Sequence, residues 1–273
     1  MMNNTILLNQ NVIITGAAGL FALQHINAVL SSGGSVTLID LNKKKLENTF
    51  NLFSKKFDPK KIYCFVGDVT NENSIKRICK KLLKNKKSID VLINNAAVDY
   101  KLDKSHLSKV KKTTIEGFDL NIWKRDLNGG LLGSFICTKI FGHEMAKKKK
   151  GVILNIASDL SFISPDNRLY NNGKKLKIFK PISYSVVKHG IIGLTRYTAT
   201  YWANKNIRCN AIAPGGIYNN QPKKFLKKIS KLIPMGRLAK KNEYEASILY
   251  LISDASSYTN GAVLSVDGGR TVW

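Results

Sequence analysis

The sequence predicts an α/β protein: one domain over residues 1–273, built on a doubly wound parallel sheet with helices on both faces. Three observations carry this expectation. Short β-branched runs alternate with helical patterns along almost the whole chain, the arrangement that builds parallel βαβ units. The first run closes on a Gly-rich turn and the second on an acid. No internal repeat, low-complexity linker or Pro/Ser-rich hinge divides the chain.

Residues 11–15 form a short apolar run ending in a Gly-bearing turn, the pattern of a first strand. Residues 19–32 have helical periodicity through Leu20, Leu23, His25, Ala28 and Val29, stopped by Gly33-Gly34. Residues 36–40 make the second strand, 43–53 a helix, and 62–66 a strand ending at Gly67-Asp68. The next helix is expected over 74–83 and the fourth strand over 91–94. One long helix is expected over 123–145, with Gly129, Gly130 and Gly133 inside it. A strand at 152–156, a long helix at 184–204, a strand at 207–212, a helix at 243–253 and a strand at 262–266 complete the alternation.

Composition narrows the class. An apolar content of 44% is ordinary for a soluble globular protein. Met1 to Thr5 lacks the positive region of a signal peptide, and residues 6–8 are too short an apolar block. Residues 12–30 are interrupted by Thr15, Gly16, Gly19, Gln24, His25 and Asn27, so they read as strand and helix and not as a membrane span. Cys64, Cys79, Cys137 and Cys209 are scattered and are read as reduced core thiols of a cytoplasmic protein. His25, His106, His143 and His189 form no cluster, so no metal site is expected.

The formal charge is +26, but only seven of the 44 basic residues are Arg, and Asn is abundant beside the lysines. Joint Lys and Asn enrichment reads as a coding bias spread over solvated surface. The runs at 43–45, 80–87, 147–150 and 223–228 fall where exposed helices or turns are expected. A nucleic-acid footprint would concentrate Arg and Lys on one face with aromatic platforms. No such interleaving occurs, so no specific nucleic-acid partner is expected, although the charge can attract anionic substrates.

Thr15-Gly16-Ala17-Ala18-Gly19-Leu20-Phe21-Ala22 joins a strand to a helix. Gly16 permits the tight turn, Gly19 allows close backbone approach, and the helix start offers amides to a pyrophosphate. Ala22 stands where a third Gly often lies. A structural turn is the default for a lone Gly motif, but this one has Asp40 at the end of the next strand. An acid there accepts hydrogen bonds from ribose hydroxyls and repels a 2′-phosphate, favouring NAD over NADP. Lys43 to Lys45 lie close enough to hold a phosphate and pull the other way. The pattern is that of a Rossmann fold.

Tyr184 and Lys188 lie four residues apart on an expected helix, hence on one face. A free phenol titrates near pH ~10, and an ammonium one turn away favours the phenolate. The pair suits proton exchange with an alcohol or carbonyl, surface pairing being the alternative.

Together these residues resemble the short-chain dehydrogenase/reductase family along nearly the whole chain. Residues 15–19 resemble its cofactor loop, Gly67-Asp68-Val69 its adenine-contacting Asp-Val, and Asn94-Asn95-Ala96-Ala97 its Asn-Asn-Ala-Gly with Ala97 in place of Gly. Residues 155–158 resemble the strand ending on the catalytic Ser, and Tyr184 and Lys188 match the catalytic pair. Pro214-Gly215, Gly236-Arg237 and residues 266–269 match later landmarks.

The resemblance implies catalysis by Ser158, Tyr184 and Lys188. It implies cofactor contacts from Gly16, Ala18, Gly19, Leu20, Asp40, Asp68, Val69, Asn95, Ala96, Tyr184, Lys188, Pro214, Gly215 and Ile217. It also implies a homodimer or homotetramer. Two departures stand out: Gly130 occupies the place of a family Asn, with Asn128 pointing elsewhere, and residues 163–180 form an insertion at the active-site edge. A substrate-specificity loop and a solvated excursion are both open readings of that insertion.

Tyr184 to Gly190, Tyr201-Trp202-Ala203, residues 214–219 and residues 267–273 are similar to a bacterial subgroup associated with flagellin modification and nonulosonic sugar synthesis. That implies a sugar phosphate or nucleotide-linked sugar as substrate, with Arg168, Arg270 or lysines available to phosphate. For each Arg a structural salt bridge is the alternative. A reductase of acyl-carrier thioesters and a non-enzymatic nucleotide sensor are the rival functions.

Overall fold

The protein is described here from a computed structural model over residues 6–97, 113–170 and 178–273. Seven strands, β1 (Asn11–Thr15), β2 (Ser35–Asp40), β3 (Ile62–Val66), β4 (Val91–Asn94), β5 (Gly151–Ile156), β6 (Ile207–Pro214) and β7 (Val263–Val266), form one sheet. Its order is β3-β2-β1-β4-β5-β6-β7, and every neighbouring pair is parallel. The chain winds outward from β1 through β2 to β3, then returns to place β4 on the other side of β1. That reversal opens a crevice at the C-terminal ends of β1 and β4, where such sheets bind ligands.

Strand β1 is buried along its whole length, as a central parallel strand covered on both faces must be. Its side chains alternate between two cores. Val12 and Ile14 pack with Ile26, Val29, Leu46 and Ile248, whereas Ile13 packs with Ile75, Ile78, Ile136 and Phe141. The first layer carries α1 (Ala22–Ser31), α2 (Lys43–Ser54) and, from the far end of the chain, α8 (Glu245–Ile252). The second carries α3 (Glu72–Lys84), α4 (Leu120–Leu127), α5 (Gly133–Lys148) and α6 (Ile182–Tyr201). Asn42, Asn71 and Asp119 cap α2, α3 and α4 by accepting from Lys45 N, Ser74 N and Asn121 N. The Asn71 cap starts α3 before the Ser74 expected from periodicity.

Two features depart from expectation. The helix expected over 123–145 begins at Leu120 and contains a π turn at Asn128–Leu132 between α4 and α5. Within it, Ser134 Oγ donates to the Gly130 carbonyl at 2.7 Å, a bond characteristic of a distorted helix turn. The lysine run at 223–228 lies, as expected, on an exposed helix, α7 (Lys223–Ile229), with Lys223, Lys224 and Lys227 exposed. Phe225, Leu226 and Ile229 of this helix pack with Leu169, Ile233 and Leu238. Cys79, Cys137 and Cys209 are buried, but Cys64 is exposed on the edge strand β3 and is not a core thiol. Among the described residues no helix is long and apolar enough to cross a membrane.

Candidate active site

The Gly-rich turn is bound to the end of β4. Thr15 Oγ1 accepts from Asn95 N and Ala96 N at 3.1 Å each, and Asn95 Nδ2 donates to the carbonyls of Thr15 and Gly16 at 3.0 Å each. Gly16 has φ +60°, and a Cβ there would stand 2.7 Å from Ala96 Cα. Both facts restrict the position to glycine. Gly19 N donates to the Gly16 carbonyl at 3.0 Å, and Leu20 is exposed just before α1. Asn95 Oδ1 meets His25 Nε2 at 3.2 Å. His25 is fully buried, and burial pushes its pKa down to about 4.

At the end of β2, Asp40 spans two loops. Its Oδ2 accepts from Ala18 N and its Oδ1 from Asn42 N, both at 2.9 Å. Asp68 Oδ1 accepts from the amide and hydroxyl of Thr70, at 2.8 and 2.7 Å. Val69 packs on Gly133, where a Cβ would come within 2.7 Å of Val69 Cγ2. At the other end, Gly215 N donates to the Val266 carbonyl at 3.0 Å, and Tyr244 Oη donates to the Gly215 carbonyl at 2.9 Å. Ile217 bridges to Ala239, and its carbonyl accepts from Gln221 Nε2 at 2.7 Å. The backbone after Pro214 is thereby fixed.

Ser158 follows β5 and caps a short 3-10 turn, Asp159–Ser161, by accepting from Leu160 N at 3.2 Å. Ser161 Oγ accepts from Ser158 N at 3.2 Å and donates to the Lys188 carbonyl at 2.8 Å. Buried Lys188 donates Nζ to the Ile156 carbonyl at 2.8 Å, two residues before Ser158. These bonds join the end of β5 to α6, one helical turn from Tyr184. Lys188 Nζ lies 5.7 Å from the Tyr184 ring centroid, and Lys180 Nζ lies over the same ring at 4.1 Å. Lys180 was missed in the sequence, although it precedes Tyr184 by the four residues that separate Tyr184 from Lys188. Lys180 lies in the loop before α6, which starts at Ile182 after Pro181, so helical spacing would not have placed it.

Gly130 occupies the π turn and is buried. A Cβ there would lie 2.5 Å from Val187 Cγ1, so Val187, on the Tyr184 helix, fills the space a side chain would need. Asn128 is exposed and does not replace the family Asn. In the insertion, residues 171–177 lie outside the described residues, as does His106. The described part is anchored at several points: Leu169 is buried, Lys180 N donates to Asn167 Oδ1 at 3.1 Å, and Lys228 Nζ donates to the Arg168 carbonyl at 2.8 Å. Arg270 pairs with Asp159 in the interior, and Arg168 pairs with Asp166 at the surface. Both arginines therefore follow the salt-bridge alternative.

A parallel sheet that reverses beside a Gly-rich turn, with Tyr184 and Lys188 one turn apart and Lys188 bonded to the strand end that precedes Ser158, is the arrangement of the α/β class of nicotinamide-dependent oxidoreductases. Residues 16–271 match the family model described as Enoyl-(Acyl carrier protein) reductase, and the chain belongs to the short-chain dehydrogenase/reductase family. It is an oxidoreductase acting on CH-OH groups.

The chain is 30% identical over 264 residues to a 3-oxoacyl-[acyl-carrier-protein] reductase of Thermotoga maritima, covering 95% of this chain and 97% of that one. It is 35% identical over 211 residues to a 2-dehydro-3-deoxy-D-gluconate 5-dehydrogenase of Bacillus subtilis, covering 75% and 73%. A short-chain dehydrogenase of Leptospira borgpetersenii with bound NAD+ superposes with a TM-score of 0.79 at 28% identity, over 97% and 94% of the two chains. A gluconate 5-dehydrogenase of Burkholderia cenocepacia in complex with NADP and tartrate has the same fold, with a TM-score of 0.82 at 22% identity over 100% of each chain.

Proposed function

We propose that the protein interconverts a secondary alcohol and a ketone on a sugar phosphate or nucleotide-linked sugar in surface-glycan biosynthesis, with Tyr184 as general acid/base. The observation that carries this reading is the joining of Ser158 and Lys188 through Ser161 and the Ile156 carbonyl, beside Tyr184. Bound nicotinamide supplies or accepts the hydride. The residues present fit such a cofactor: Gly16 and Gly19 leave backbone without side chains at the turn, and Asp40 stands at the ribose end. Gly16, Ala18, Gly19 and Leu20 would hold the pyrophosphate. Asp68, Val69, Asn95 and Ala96 would border the adenosine side, and Pro214, Gly215 and Ile217 the nicotinamide. NAD is favoured over NADP because the Asp40 carboxylate repels a 2′-phosphate.

Tyr184 moves the proton at the reacting oxygen, and Ser158 orients that oxygen. Lys188 favours the phenolate and reaches toward the nicotinamide ribose. The sugar reading is supported by the similarity to the glycan-associated subgroup, by the gluconate-type relative and by the net charge of +26. Arg168 and Arg270 are engaged by carboxylates, so lysines are left to meet an anionic group. The Thermotoga relative favours a second reading, reduction of a 3-oxoacyl carrier thioester, for which a basic surface would suit an acidic carrier. A nucleotide sensor without turnover is disfavoured by the intact Ser158, Tyr184 and Lys188. We place the protein in the cytoplasm, as a homodimer or homotetramer without a specific nucleic-acid or membrane partner. The test is nicotinamide absorbance with NAD or NADP and a panel of hexose phosphates, nucleotide-linked hexoses, gluconate and an acyl-carrier thioester. Turnover of one sugar with NAD is expected, and turnover of the thioester alone would overturn the sugar reading.

A further inference from the structure

Asp159 and Arg270 meet in the interior although they are 111 residues apart, with Arg270 Nη1 at 2.7 Å from Asp159 Oδ2. The other oxygen, Asp159 Oδ1, accepts from Ser158 Oγ at 2.8 Å and from Leu160 N at 2.8 Å. The side chains of Arg270 and Asp159 are only 9% and 6% exposed. A carboxylate paired with a guanidinium can only accept, so the hydroxyl of Ser158 must be the donor in that bond. A serine hydroxyl otherwise rotates freely to suit its surroundings. Here its proton is directed at Asp159, while Oγ accepts from Leu160 N.

The tail turn that delivers Arg270 is itself built. Asp267 Oδ1 accepts from Gly269 N at 2.9 Å, and Asp267 Oδ2 accepts from Thr271 N at 2.9 Å and Thr271 Oγ1 at 2.7 Å. Gly268 and Gly269 have φ of +69° and +86°, which other residues adopt only with strain. The Asp-Gly-Gly-Arg segment is thus more than a chain terminus: its turn points one guanidinium inward, at the carboxylate beside Ser158.

We propose that Asp159, held by Arg270, is a positioning residue that fixes the Ser158 hydroxyl, and that the C-terminal turn is thereby part of the active-site framework. This rests on the reading that Ser158 meets the reacting oxygen, to which its hydroxyl turns from Asp159 Oδ1 while Oγ keeps its place on Leu160 N. Removing one partner of a buried ion pair strands the other charge and endangers the fold, whereas neutralising both does not. The test therefore uses Asp159→Leu with Arg270→Met together, each single variant beside it, and Ser158→Ala as background. Crystal structures of the wild type and the double variant are expected to show Ser158 Oγ leaving its place in the variant, with melting temperature and NADH affinity retained.

With gluconate or the turned-over panel sugar as probe, kcat should fall on the order of 10²-fold while KM holds. In the Ser158→Ala background the same double change should cost nothing further. An unmoved Ser158 Oγ, an unchanged kcat, or an equal loss in the Ser158→Ala background would each overturn the proposal. The crystallographic result does not depend on turnover. The double variant can thus fail its test while Tyr184→Phe still abolishes activity, which separates this inference from the reading beneath it.

Discussion

His25 shows how a single residue couples the Gly-rich turn to stability. Its ring holds Asn95 Oδ1, which leaves Asn95 Nδ2 to hold the carbonyls of Thr15 and Gly16. Burial lowers its pKa to about 4, below the ordinary value of 6.5. The unfolded chain therefore binds the proton first as pH falls, and the neutral ring's contribution is complete only above pH 6.5. It is lost as pH drops from there toward 4, by about 3 kcal/mol in the limit. Urea unfolding at pH 7.5 and pH 4.5 should show a larger loss for the wild type than for His25→Gln. Equal losses would contradict the assignment. In the sequence His25 was legible only as one position of a helical repeat, because nothing local says that its partner stands 70 residues away. The same holds for Asp159 and Arg270, whose meeting depends on the order of β5, β6 and β7.

At the scale of elements, the strands were legible because apolar runs closed by Gly, Asp or Asn mark buried parallel strands. Helix ends were less so. The π turn at Asn128–Leu132 arises where Gly130 meets Val187 across two helices, and α7 hides three apolar contacts among lysines. Helices α5 and α6 also carry Phe135, Tyr197 and Tyr201 at 48%, 68% and 62% exposure, with the two tyrosine rings stacked at 5.9 Å. The proposed dimer or tetramer would bury such exposed large apolar side chains. Sedimentation equilibrium should give a dimer or tetramer of the 30.4 kDa chain, and Tyr197→Glu with Tyr201→Glu should lower that mass. A wild-type monomer would contradict this.

At the scale of the whole molecule, the fold and the order of motifs along it were legible together. Thr15 to Gly19, Asn95, Ser158, Tyr184 and Pro214 each close or follow a strand or lie in the first turn of a helix. What stayed hidden was tertiary: the inward turn of the tail, the placement of Lys180 on Tyr184, and which carboxylates, Asp166 and Asp159, engage Arg168 and Arg270. The central claim is proton exchange by Tyr184 in a nicotinamide-dependent reaction. Its most direct test is turnover of the active panel substrate by Tyr184→Phe, read at the nicotinamide band beside NADH binding. A loss on the order of 10²- to 10⁴-fold is expected, with NADH affinity unchanged. A Tyr184→Phe protein that turns over as fast as the wild type would contradict it.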